Sequence, residues 1–333
     1  MSIRSETTEE RDLLCTIGIT LHNGSLRQQL TQHLLESGGS AAVSDRISST
    51  KWREAGEILD HCRELSIAVL PITDPSYPVA LRHIQIPPSV LYIKAVTPDF
   101  IFPPHLLAVV GTRAASVEIC QTATRLSREF AEAGFTIVSG LALGIDGAAH
   151  RGALATQLPC PTIAVLAHGL NRVYPSSHER LADRIVAAGG ALISEYAPGT
   201  EPFKHHFLER NRIIAGLCRG VVVIQAGQRS GSLVTARYGA DFGRDVFVFQ
   251  GQNGDERYSG GQQLIEDGAT AISSAADLLL EYGLAPSGVW ENLSIEEFLR
   301  VREVSHAELL SLEMQGVVIR LPGNQLSVWI NSV

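Results

Sequence analysis

The sequence predicts an α/β fold built on a mostly parallel sheet, and two features of its middle section carry that prediction. Six short runs recur there: Leu106–Val110, Phe135–Val138, Thr162–Ala167, Ala191–Ser194, Val221–Ile224 and Val246–Phe249, each apolar on both faces. Helical stretches lie between them. In the first of these, Ile119, Ala123, Leu126, Phe130 and Ala133 fall on one face, and Gly134 follows as a C-terminal stop. Strands apolar on both faces that alternate with helices belong to a parallel sheet covered on both sides, the Rossmann-like arrangement.

The flanking elements differ in character. Thr7 and Glu10 are spaced as a capping box, and residues 7–65 read as short helices punctuated by Gly24, Gly38 and Gly39. Eight prolines then crowd residues 71–104, leaving room for two short strands, Ala68–Pro71 and Val90–Ile93, in what is otherwise connection. Near the end, Ser305 and Glu308 form a second capping box, with Leu309, Leu310 and Leu312 as the apolar face and Gly316 as the stop. Val317–Leu321, the turn Pro322-Gly323-Asn324 and Leu326–Ile330 follow as a hairpin. Helices followed by a hairpin predict a winged-helix unit. Its presumed recognition helix, Ser305 to Gln315, carries Glu308 and Glu313 and no Lys or Arg, which suits protein packing better than groove reading. The expected organisation is a helical N-terminal domain over 1–70, a Pro-rich connection over 71–104, a Rossmann-like domain over 105–285 and a winged-helix-like domain over 286–333.

Composition narrows the function. Of 333 residues, 45% are apolar and 19% charged, the balance of a globular protein. No apolar run approaches the ~20 residues of a membrane span. The five cysteines (Cys15, Cys62, Cys120, Cys160 and Cys218) form no CxxC pair, which argues against a zinc site or a disulfide framework and points to a cytoplasmic location. The net charge of −8 hides a local excess: residues 201–244 hold seven Lys and Arg against three acids. Local charge decides where a polyanion can sit.

Four motifs lie at strand ends. Val110-Gly111-Thr112-Arg113 offers a glycine for close backbone approach and an arginine fork for phosphate, although a tight turn with an exposed arginine fits it equally. Ser139-Gly140 opens a second loop that runs into Asp146 and His150, four apart. One carboxylate and one imidazole make an incomplete metal site, and helix capping is the simpler role for Asp146. The string from Phe203 to Leu217 combines Lys204, Phe207, Arg210, Asn211 and Arg212 just before a strand. Its cations suit phosphates and its ring suits a base, unless the aromatics are core and the charges a solvated face. Lys204 is the only lysine in residues 106–280. Finally, Ser230-Gly231-Ser232 and Thr235 form an anion-ready helix start or a plain N-cap. Together these motifs put phosphate-compatible chemistry on the carboxyl edge of one sheet, where ligands bind in open α/β folds.

These residues resemble the DNA processing protein A (DprA, or Smf) family of bacteria. The resemblance is carried by Val110–Arg113, Ser139–His150, Ala164–Pro175, Ser194–Tyr196, Arg210–Leu217 and Ser230–Ala236, with Asp74–Pro78 and Pro87–Tyr92 in the amino-terminal part. Leu312–Gly316 and Pro322-Gly323 extend it to the winged-helix unit, so it covers nearly the whole chain. It implies a non-enzymatic protein, without cofactor, metal or catalytic residues. Such a protein binds single-stranded DNA, protects incoming strands in natural transformation, loads the RecA recombinase and acts as a homodimer. The family's contact positions correspond to Arg113, Lys204 and Phe207, with Arg210, Asn211 and Arg212 in the same pocket region. This chain departs from the pattern at Leu208, Gln225, Gln250 and Gln262, and Gln225 removes a usual carboxylate.

The alternative is a nucleotide-binding or nucleoside-monophosphate-hydrolysing enzyme on a related Rossmann-like fold. That chemistry wants a carboxylate near the sugar and a Pro-Gly-Gly-x-Gly-Thr loop, where this chain has Gln225 and Ser230-Gly231-Ser232. A nicotinamide oxidoreductase would need a GxGxxG with a spaced acidic residue, which is missing.

Overall fold

The computed structural model describes residues 8–22, 24–37, 39–251, 255–284, 288–302, 304–315, 317–321 and 325–331. The expectations placed on Thr7, Gly38, Gly316 and the turn 322–324 lie outside the described residues. Three helices come first: α1 (Thr8–Thr20), α2 (Gly24–Ser37) and α3 (Ser49–Glu64). The Pro-rich stretch follows with β1 (Ala68–Pro71), α4 (Val79–Arg82) and β2 (Val90–Lys94). Both short strands form, and they do more than connect: they pair antiparallel with each other, and β2 joins the large sheet antiparallel to the strand Ala191–Ser194.

The alternating section is β3 (Leu106–Val110), α5 (Val117–Glu132), β4 (Thr136–Ser139), α6 (Ile145–Leu154), β5 (Thr162–Val165), α7 (Glu179–Ala187), β6 (Ala191–Ser194) and α8 (Lys204–Leu217), continued by β7 (Gly220–Val223), α9 (Ser232–Asp241), β8 (Asp245–Phe249), α10 (Ser259–Glu266), β9 (Thr270–Ile272) and α11 (Ala275–Glu281). All six expected strands are present, and β9 adds a seventh. The sheet order is β1-β2-β6-β5-β4-β3-β7-β8-β9, parallel from β6 to β9. Its parallel character follows from the strands themselves. In β3, Leu106, Ala108 and Val110 enter one core cluster while Leu107 and Val109 enter another, so neither face is left to water. Helix α5 is capped by Ser116, which accepts from the Ile119 amide, and buries Ala123, Leu126 and Phe130. Gly134 then takes a positive φ of 85°.

The chain leaves β3 in one direction through β4, β5 and β6, then returns to the other side of β3 with β7. The switch point therefore lies between β3 and β7, flanked by β4. It brings the loops after these three strands to one edge, the position where open α/β sheets bind ligands.

The last unit comprises β10 (Gly288–Ser294), α12 (Ile295–Arg302), α13 (His306–Gln315), β11 (Val318–Leu321) and β12 (Gln325–Asn331). The hairpin strands pair as expected, and β10 makes the sheet three-stranded in the order β10-β12-β11. The box at the start of α13 forms: Ser305 N donates to Glu308 Oε2, and Glu308 N donates to Ser305 Oγ. Leu309 is buried, but Leu310 turns to solvent, so the apolar face is narrower than the run of leucines suggests. This small sheet is seated on the large domain. Trp290 stacks on His105 with centroids 3.6 Å apart, and His105 Nε2 lies 2.6 Å from Ser327 Oγ.

Candidate nucleic-acid interface

The Lys204–Leu217 string is a helix, and its three consecutive polar residues point to three places. Arg210 is 3% exposed. Its Nη1 donates to Gly140 O at 2.9 Å and also to Val165 O, while its Nε reaches Asn211 Oδ1 at 3.3 Å. Asn211 Nδ2 donates to Gly231 O at 3.2 Å. Arg212 turns to the opposite side of α8 and donates from Nη2 to Glu195 Oε2 at 2.8 Å, an oxygen that also accepts from Arg27 of α2 at 2.7 Å. Burying a cation is tolerable only with such fixed partners. Burial brings the Arg210 guanidinium pKa down to about 10, so it stays charged at neutral pH. Arg210, Asn211 and Arg212, expected in one pocket region, are all buried and hydrogen-bonded inside the protein.

The second loop is braced from the same side. Ser139 is fully buried, its hydroxyl donating to Val109 O across the β3–β4 pair. Asp146 Oδ2 accepts from Gly140 N at 3.1 Å and from Ala142 N at 3.4 Å, so the carboxylate braces the loop before α6 and is not its side-chain cap, the N-cap position being Gly144. Burial raises the Asp146 pKa against the opposing field of Arg210. Both backbone polar groups of Gly140 are thus occupied, and neither it nor Ser139 presents a donor to a strand. His150 bonds Thr162 Oγ1 through Nδ1, and burial holds its pKa down to about 3. It does not meet Asp146, and no cluster of three or more metal-ligating groups occurs among the described residues.

What faces outward is a smaller set. Arg113 is exposed, and its guanidinium carbon lies 5.0 Å from the Phe207 ring centroid. Tyr174, half exposed, approaches the same ring at 5.8 Å. Lys204, exposed, begins the helix one turn before Phe207. An arginine over an aromatic face is a cation–π pair, and a half-covered ring still offers area to a base. Gly111 is there for close packing: a Cβ would come 2.6 Å from Ile145 Cγ1. Thr112 N donates to Gln225 O and fixes the β3 loop against the end of β7. On the far rim Gly231 is exposed and Ser230 half-buried, with its Oγ 2.7 Å from Ser232 Oγ. Ser232 and Thr235 are buried. The structure therefore brings Arg113 to Phe207, joins Gly231 to Asn211, and draws Ser139, Gly140, Ser232 and Thr235 into the support beneath.

A family model described as DNA recombination-mediator protein A matches residues 68–283. The chain belongs to this DprA family. It is 39% identical over 242 residues to the DNA processing protein DprA of Bacillus subtilis, across 73% of this chain and 80% of that one. The crystal structure of DprA from Streptococcus pneumoniae superposes with a TM-score of 0.67 at 35% identity, covering 84% of this chain and 99% of that one. A structure of DprA from Helicobacter pylori, described as revealing its single-stranded DNA binding mode, gives 0.56 at 30% identity over 64% of this chain and 94% of that one.

Two residues of this DprA-family chain had no sequence signal of their own. Tyr174 stood within the family-like run but carried no charge or spacing to mark it. Glu195 is 3% exposed and ties α2 to α8, and the two arginines hold its pKa down despite burial. Only the fold brings its partners Arg27 and Arg212 together.

Proposed function

We propose that this protein binds single-stranded DNA across the outer face of α8, with Arg113 and Lys204 on phosphates and Phe207 and Tyr174 stacked against bases. The observation that carries the reading is the Arg113–Phe207 contact at the sheet's switch point. It sets a cation beside a half-buried ring, the pairing that sequence-tolerant strand binding uses. Ser230 and Gly231 form the far rim. Family membership supports the partner class, since a relative of this fold is described by its single-stranded DNA binding mode.

The reading extends to a binding protein without cofactor or catalytic residues, working as a homodimer in the cytoplasm. It would protect incoming strands and help load a RecA-type recombinase. Among the described residues no helix is long and apolar enough to cross a membrane. Gln225 supports binding over hydrolysis: it is 2% exposed at the strand end where a hydrolytic site would want a carboxylate. A gel-shift comparison of single- and double-stranded DNA, with recombinase added in one arm, tests the proposal. Preference for single strands and faster filament formation are expected. Equal affinity for duplex, or release of free base from a nucleoside monophosphate, would overturn it.

A further inference from the structure

We infer that Arg210 is a positioning residue for the strand-binding face, acting on DNA through the Gly140 loop and touching no phosphate itself. The inference rests on the single-strand reading above. One buried guanidinium links three strand-end loops. It donates to Gly140 O after β4 and to Val165 O at the end of β5, and through Asn211 it reaches Gly231 O in the loop before α9. Asp146 closes the clamp by accepting from the Gly140 and Ala142 amides, so Gly140 is held through both its N–H and its C=O. The glycine is required because the guanidinium lies against it: a Cβ would fall 2.4 Å from Arg210 Nη2. At 3% exposure the side chain has no route to a strand, yet it fixes the loop packed beside Arg113's own. The guanidinium spreads its donors over two nitrogens, Nη1 to the two carbonyls and Nε to Asn211 Oδ1, which a lysine ammonium with all its donors on one nitrogen does not reproduce.

The test is a binding cycle on an oligothymidylate, read as affinity and as its dependence on salt. Arg210→Ala is expected to weaken binding about tenfold, the scale of one charge-assisted hydrogen bond, with the salt slope unchanged. Arg210→Lys, which keeps the charge, is expected to weaken it to a similar degree. Gly140→Ala should cost about tenfold in the wild type and less than about twofold beside Arg210→Ala, where its methyl has room. A direct phosphate contact would instead flatten the slope by about one, leave Arg210→Lys near wild type and make the two losses additive, and this overturns the inference. If Arg210→Ala does not fold, Arg210→Lys and Asn211→Ala decide: slopes unchanged with affinity lost support positioning, and retained affinity contradicts it. A wild type that binds no single strand overturns both readings, whereas a wild type weakened by Arg113→Ala but additive at Arg210 overturns this one alone.

Discussion

At the scale of single residues, the side chains of α8 divide by what each can reach. Phe207 and Tyr174 keep ring area in solvent, while Arg210 and Arg212 spend their donors on Gly140, Val165 and Glu195. Phe207→Ala and Tyr174→Ala should each weaken oligonucleotide binding by ~1–3 kcal/mol and leave the salt slope unchanged, because stacking releases no counterions. Titrations at three salt concentrations check both. Arg113, Lys204 and Phe207 stand at the positions that the family resemblance marks, and the structure leaves Arg113 and Lys204 exposed and Phe207 half-buried. Arg210 and Arg212 could not be separated from them. Their partners stand 70, 45 and 17 residues away, and a buried arginine is spelled the same as an exposed one.

At the scale of elements, Glu195 joins α2 to α8 by giving one oxygen to both Arg27 and Arg212. Its other oxygen has no hydrogen-bond partner among the described residues, so the carboxylate's charge depends on the two arginines. Glu195→Ala would leave Arg212 buried without its counter-ion and should lower unfolding free energy by about 3–5 kcal/mol, measured by urea titration. Arg27→Ala, at a side chain one quarter exposed, should cost less and act mainly on α2, seen as faster amide exchange there. The large parallel sheet was legible because strands such as β3, Leu-Leu-Ala-Val-Val, are apolar on both faces. β9 was missed because Thr-Ala-Ile is too short to show a period, and β10 because Trp290-Glu291-Asn292 breaks alternation. Trp290 is in β10 because it docks on His105 and beside Gly134, a tertiary reason with no local trace.

At the scale of the whole molecule, buried histidines govern acid stability and local charge governs where a polyanion binds. Burial holds the His105 and His150 pKa values down to about 3. The unfolded chain takes up these protons near the ordinary value of about 6.5. Stability from the neutral imidazoles is therefore complete above that value and is lost as pH falls from it toward about 3, with a slope of up to about 1.4 kcal/mol per pH unit for each histidine. Melting curves between pH 7 and pH 5 should show the fall, and a His105→Gln variant should show a shallower one. A chain of net charge −8 binds a polyanion only where local cations outweigh the rest, and two exposed cations stand at the switch-point edge, Arg113 over the Phe207 ring and Lys204 one turn before it. The most direct measurement is the salt dependence of oligothymidylate binding for the wild type and an Arg113→Ala/Lys204→Ala variant. The predicted result is weaker binding and a log–log slope shallower by about two. An unchanged affinity and slope in the double variant would contradict strand binding at Arg113 and Lys204.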